Sequence, residues 1–118
     1  MISELQISET LKELGVPADL FGYFYLKYAV EVVSQDYSLI HQITKRVYPA
    51  IAEKFNTTCS RVERTIRVAI EVGWNRGNIK FQNKLFGFTV EMAKGKPTNS
   101  EFIVTVADWL NMICCDKE

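Results

Sequence analysis

The sequence predicts an all-α domain, and three observations carry that prediction. Apolar residues recur at intervals of three and four along nearly the whole chain, the spacing that gathers them on one face of a helix. Ser/Thr-x-x-Glu/Gln capping patterns stand at Ser3–Gln6, Ser60–Glu63 and Thr98–Glu101. Glycine or proline punctuates the segments between them, at Gly15 and Pro17, at Gly73 and Gly77, and at Gly87.

Taken in order, Ile7, Leu11 and Leu14 share one face of a first helix that Gly15 and Pro17 end. A second helix is expected from about Pro17 to Ser34, with Phe21, Tyr25, Tyr28 and Val32 as an aromatic core stripe. The pattern is helical again from Ser38 to Asn56, but Pro49 interrupts it. Proline clashes with the preceding turn inside a helix and suits a first helical position. The segment is therefore divided into a short helix ending near Val47 and a new one from Pro49 to Phe55. A long helix follows from about Ser60 to Trp74, fraying at Gly73 and Gly77, and a shorter one from Ile79 to Phe86 closes at Gly87. Phe88 to Lys94 alternates weakly and reads as extended, and Gly95-Lys96-Pro97 reads as loop. Thr98 with Glu101 caps the last helix, in which Phe102, Val106, Trp109 and Ile113 recur at helical spacing. No repeat or low-complexity segment is visible.

One domain is the expectation for 118 residues, and 47% hydrophobic content suffices to bury a core without staples. No stretch approaches the roughly 20 apolar residues of a membrane span. The N-terminus has neither the basic start nor the apolar run of a signal peptide, so the chain reads as cytoplasmic, with no membrane partner. Cys59 stands alone and Cys114 and Cys115 are adjacent, which fits neither zinc-ligand spacing nor a disulfide framework.

A net charge of zero hides strong segregation. Residues 1–36 carry six acids and two bases, residues 37–97 eleven bases and four acids, and residues 98–118 four acids and one base. The middle of the chain, at +7, is as basic as a small polyanion-binding module, although acidic ends also suit a plain solvated face.

Tyr48 to Arg67 lies in that basic stretch and meets the demands of a helix-turn-helix in order. The first helix needs a small residue where the two helices touch, and Ala52 supplies it, with Ile51 and Phe55 facing inward. The turn needs a residue that tolerates a left-handed backbone, and Asn56 is the best substitute for glycine. The second helix needs a branched apolar residue in its first turn, and Val62 fills the place. At 100° per residue Val62, Ile66, Ala69, Ile70 and Gly73 share one side of that helix. Arg64, Arg67, Val68 and Glu71 lie opposite, with Arg61 and Glu63 on the flanks. Guanidinium groups read guanine bidentately in the major groove, and Glu63 can accept from a cytosine amino group. A surface helix laced by Glu63–Arg67 and Arg67–Glu71 pairs is the bland alternative. Backbone contacts are expected from Lys45, Arg46, Lys54, Asn56, Ser60, Lys94 and Lys96.

Enzymatic readings fail on inventory. His41 is the only histidine, the acids are scattered, and Gly73-Trp-Asn-Arg-Gly77 ends a helix rather than cradling a phosphate. No catalytic residue, metal site or cofactor is expected.

The run IAEKFNTTCSRVERTIRVAIEVGWNRGNI, then LFGFTVEMAKGKPTNSEFI, with GVPADLFGYFYLKYAV upstream, resembles the C-terminal effector domain of the stage-zero sporulation regulator of endospore-forming Firmicutes. The resemblance covers about Leu14 to Leu110. It implies a six-helix fold, a transcription factor that activates and represses genes of sporulation initiation, and binding to TGTCGAA-type boxes in double-stranded DNA. It also implies that Arg61, Glu63, Arg64 and Arg67 lie on the base-reading face. Gly77, Phe86 and Val90, with Phe81 in the same patch, would contact the housekeeping sigma factor of RNA polymerase. Ala107 would sit where two domains meet on tandem boxes. Two positions depart from the family pattern: Val68 replaces a histidine, and Cys59 a smaller residue in the turn. The division expected is one output domain over 1–118, with a helix-turn-helix at about 49–74, a base-reading helix at 60–74, a polymerase-contact segment at about 77–90 and a C-terminal helix at about 99–114. The receiver domain of such a regulator is expected to be absent from this chain. The rival reading is a helical module that docks on protein through Phe81, Phe86 and Phe88, separable by its weak response to salt.

Overall fold

The computed structural model describes residues 2–87 and 95–116, the side chains of the last two aside, and every regular element among them is helical. The α-helices are α1 (Glu4–Glu13), α2 (Phe21–Gln35), α3 (Tyr48–Lys54), α4 (Cys59–Arg76), α5 (Ile79–Phe86) and α6 (Asn99–Asp116). A 3-10 turn (Tyr37–His41) and one π-turn (Ile43–Val47) link α2 to α3. No helix among the described residues is long and apolar enough to cross a membrane.

The helix α2 is the hub of the domain, packed against α1, α3, α4 and α6. Its buried face is Gly22, Tyr23, Tyr25, Leu26, Ala29, Val30 and Val33. This corrects the expected stripe: Tyr25 is buried and Tyr28 partly so, but Phe21 is 75% exposed. Gly22 explains the rotation. A Cβ there would lie 2.5 Å from the Ala69 Cβ and 2.7 Å from the Thr65 carbonyl oxygen, so α2 crosses α4 in near backbone contact at this point. The helix also begins four residues later than Pro17. Leu20 N–H donates to the Pro17 carbonyl at 3.3 Å, closing a turn that leaves Leu20 extended before the first helical residue.

Instead of one short helix, residues 37–47 form two different turns. Pro49 cannot donate, and its ring presses on the turn before it. The backbone widens accordingly. Val47 N–H reaches the Gln42 carbonyl and Tyr48 N–H the Ile43 carbonyl, each five residues back. Pro49 then sits in the first turn of α3, as its chemistry requires.

At the chain ends the capping patterns work as expected. Ser3 and Gln6 make a reciprocal capping box on α1. Thr98 and Glu101 do the same for α6, with the Thr98 N–H donating to Oε1 of Glu101 and the Glu101 N–H to the Thr98 hydroxyl. The far side of the core is aromatic. Phe86 stacks on Phe102 at 5.7 Å and meets the edge of Trp74 at 5.2 Å, while Phe81 packs edge-on against Trp109 at 5.3 Å.

Candidate nucleic-acid interface

The helices α3 and α4 form a helix-turn-helix whose turn is set by hydrogen bonds. Asn56 has φ +53°, the left-handed conformation expected of it. Thr57 N–H donates to the Ala52 carbonyl at 2.9 Å and Asn56 N–H to the Glu53 carbonyl at 3.4 Å. That 6→1 and 5→2 pair is a Schellman motif, which satisfies the last carbonyls of α3 and turns the chain sharply. The start of α4 corrects the expectation. Thr58, not Ser60, is the N-cap, its hydroxyl accepting from Arg61 N–H at 3.2 Å, and the helix runs to Arg76.

The orientation of α4 follows from its buried face, Val62, Ile66, Ala69, Ile70 and Gly73, the five residues that the helical wheel gathers. Arg61, Arg64, Arg67 and Val68 consequently face water, Val68 being 48% exposed. Arg67 Nη2 lies 2.8 Å from Glu63 Oε2. An exposed i,i+4 pair of this kind contributes only about 0.3–0.5 kcal/mol, so a base can draw off either partner, or a phosphate Arg67, at little cost. Glu71 does not pair with Arg67. Its carboxylate accepts a hydrogen bond from Lys96 Nζ, and that bond together with the ammonium charge holds Glu71 below its ordinary carboxylate range. The pair straps the loop before α6 to the middle of α4.

Beside α4 runs an open groove of about 860 Å³, lined by Thr44, Ser60, Glu63, Arg67, Lys96 and Ser100 among others. The first turns of α4 and α6 both border it. Its wall is mixed: Arg67, Lys96 and the hydroxyls of Thr44, Ser60 and Ser100 stand beside the Glu63 carboxylate and the apolar Tyr48, Ile70 and Pro97. Lys45, Arg46, Lys54, Asn56 and Ser60 are also exposed, though Lys54 Nζ rests 4.8 Å from the centre of the Tyr28 ring. Lys94 and Val90 lie outside the described residues.

The residues expected to touch protein partners are placed differently. Phe86 is 2% exposed and Ala107 fully buried, so neither presents a side chain to a partner. Both are corrections: Phe86 is closed in by Trp74 and Phe102, and Ala107 lies on the side of α6 that the shared core covers. Gly77 is partly buried against Leu14 at the α4–α5 junction, and Phe81 is partly buried on Trp109. The aromatic patch of the docking alternative thereby loses Phe86 to the core, and its third member, Phe88, lies outside the described residues. The exposed residues of α5 are Ile79, Lys80, Asn83 and Lys84.

Residues 7–110 match the family described as "Sporulation initiation factor Spo0A C terminal". The chain belongs to this family. The match runs from α1 through the helix-turn-helix and most of α6, so it includes every element that orients α4. The Spo0A C-terminal family is a helical DNA-binding domain, the effector part of a sporulation response regulator. As a member, this chain is a DNA-binding transcription-regulatory domain and not an enzyme.

Four residues that position the Spo0A-type site escape a reading of the sequence. Thr58 competes with Ser60 in the run Thr57-Thr58-Cys59-Ser60, and only Ser60 has the glutamate three residues on that marks a capping box. Gln82 is 4% exposed and its Nε2 donates to the Trp74 carbonyl at 3.3 Å, tying α5 to the last turn of α4. Tyr48 and Asn99 meet across a separation of 51 residues, Asn99 Nδ2 lying 3.1 Å from the Tyr48 hydroxyl. No local pattern announces such a contact.

Proposed function

We propose that this domain reads a TGTCGAA-type box in the major groove with the N-terminal half of α4, Arg61, Glu63, Arg64 and Arg67 contacting base edges. The observation that supports this most is the outward row of guanidinium groups on α4, immediately after a Schellman turn and opposite a fully buried face. Lys54, Asn56, Ser60, Lys94 and Lys96 are assigned to the phosphate backbone. The domain over 1–118 acts in the cytoplasm, beside a second copy on tandem boxes, and activates transcription through the housekeeping sigma factor.

The polymerase contact is assigned to the segment 77–90, and within it to groups that a partner can reach. Those are Ile79, Lys80, Asn83, Lys84 and the open edge of Phe81. Contact with a second copy is assigned to the neighbours of Ala107 on the open side of α6, where Asp108 is exposed and Met112 is 53% exposed.

Fluorescence anisotropy on a box duplex and a scrambled duplex, titrated across salt, tests the reading. Preference for the box by about tenfold or more, with steep weakening in salt, is the expected result. Equal and weak binding to both duplexes would move the function to docking on protein. Arg64→Ala should lose about 1–3 kcal/mol at a single base position while binding scrambled DNA almost as before. Uniform weakening on both duplexes would make Arg64 a phosphate contact instead. Lys96→Ala should do the reverse, lowering the salt slope by about 1 with discrimination intact. An unchanged slope would show that Lys96 serves only its pair with Glu71.

A further inference from the structure

We infer that Asn99, the first residue of α6, is a positioning residue for base reading, acting through the backbone of Glu63. The inference rests on the reading that α4 contacts base edges. Asn99 Nδ2 donates to the Glu63 carbonyl at 2.9 Å and reaches the Tyr48 hydroxyl at 3.1 Å. One amide group outside the helix-turn-helix thus ties the first residue of α3 to the second turn of α4.

The Glu63 carbonyl lies inside the α4 ladder, where one lone pair serves the helix and the second is free for an outside donor. The same residue carries the carboxylate that pairs with Arg67 Nη2 at 2.8 Å. Asn99 therefore grips on its main-chain side the residue whose side chain orients a reading arginine. Tyr48 is 5% exposed, and burial pushes its hydroxyl above the ordinary phenol value. It stays neutral, and its hydroxyl oxygen is a fixed second acceptor for the amide.

Lys96 grips α4 again at Glu71, eight residues further on. At 1.5 Å per residue the two attachments are about 12 Å apart along the helix axis. Two such points fix both the depth of α4 and its rotation relative to α6. Direct readout tolerates little freedom in either, since recognition side chains must be held within about 0.5 Å of their working geometry. Burial of Val62 and Ile66 and the close crossing of Gly22 on Ala69 seat α4 in the core. The Asn99 bond is directional and sits directly behind the reading pair.

The test compares box and scrambled affinities for Asn99→Ala, Asn99→Asp, Glu63→Ala and the double variant Asn99→Ala/Glu63→Ala, with thermal midpoints alongside. Asn99→Asp keeps the shape and suits the first turn of a helix, but turns the donor into an acceptor facing a carbonyl. Asn99→Ala should cut discrimination about tenfold, the scale of one well-placed hydrogen bond, at an unchanged salt slope, and Asn99→Asp should cut discrimination at least as far. The double variant should lose less than the sum of the two single losses, because both changes act on the Glu63–Arg67 pair while the main-chain bond also seats the rest of α4. Wild-type discrimination in a folded Asn99→Asp domain, or losses that add fully in the double variant, would overturn the inference. A wild-type domain without preference for the box would sink the base-reading assignment and this inference together. Preference in the wild type that Asn99→Asp leaves intact would sink the inference alone.

Discussion

Phe86→Ala should cost about 3–5 kcal/mol of folding stability, because it empties a buried aromatic site between α4, α5 and α6. The ring is 2% exposed, stacked on Phe102 with an interplanar angle of 23° and set against the edge of Trp74. Folding stabilities of single domains are about 5–15 kcal/mol, so the loss is a large share of the total. Binding to DNA and any polymerase contact should therefore fall together, in step with the folded fraction. Urea denaturation of the variant beside the wild type measures the effect directly. A variant with the wild-type midpoint that still binds DNA and fails only to activate transcription would return Phe86 to a docking surface.

Gly77→Ala should destabilise the domain by about 3 kcal/mol, the upper end for an overpacked site, because the groups in the way are backbone. A Cβ on Gly77 would lie 2.2 Å from the Leu14 carbonyl oxygen and 2.5 Å from its carbon. Across the same contact a Cβ on Gly15 would lie 2.3 Å from the Gly73 oxygen, and Gly15 has φ +95° besides. Two glycines thus let the α1–α2 turn lie directly on the α4–α5 junction, where Asn78 N–H also donates to the Glu13 carbonyl at 3.2 Å. The φ of −76° at Gly77 is open to alanine, so the cost is steric and not conformational. Thermal denaturation that leaves Gly77→Ala within 1 °C or so of wild type would refute this account. It would then favour a partner contact at this residue.

The two variants share a lesson about transferring roles along a resemblance. A substitution at Phe86, Gly77 or Ala107 alters the packing beneath a surface before it alters any contact on that surface. Lys80 on α5 is a better position for separating partner contact from stability, since Asp108 accepts a hydrogen bond from the Tyr37 hydroxyl at 3.0 Å and Lys84 lies 6.0 Å from the Trp109 ring centre. Charges placed or removed there leave the core intact.

Most of the helix-turn-helix was legible in the residue order. The buried face of α4 follows from the 3.6-residue period alone, and the left-handed turn at Asn56 follows from the backbone freedom of asparagine. Ala52, Val62 and the outward arginines then fall into place without reference to any other part of the chain. The capping boxes at Ser3 and Thr98 were equally plain, since each is closed by a residue three positions away. Where two caps competed, at Thr58 and Ser60, local rules chose the wrong hydroxyl. The choice depends on how far α4 can extend toward the turn, and the packing of α3 against α4 sets that limit.

By itself the sequence determined the approximate places of the six α-helices, which face of α4 is buried and where the chain turns sharply after α3. All of these depend on residues within about five positions of one another, over which backbone geometry and periodicity act directly. Tertiary structure alone decided that α2 begins at its crossing with α4, that Phe86 and Ala107 lie inside, and that Asn99 stands behind Glu63. Those outcomes join residues 16 to 47 positions apart, where no periodicity reaches and only the closure of one shared core selects the partners.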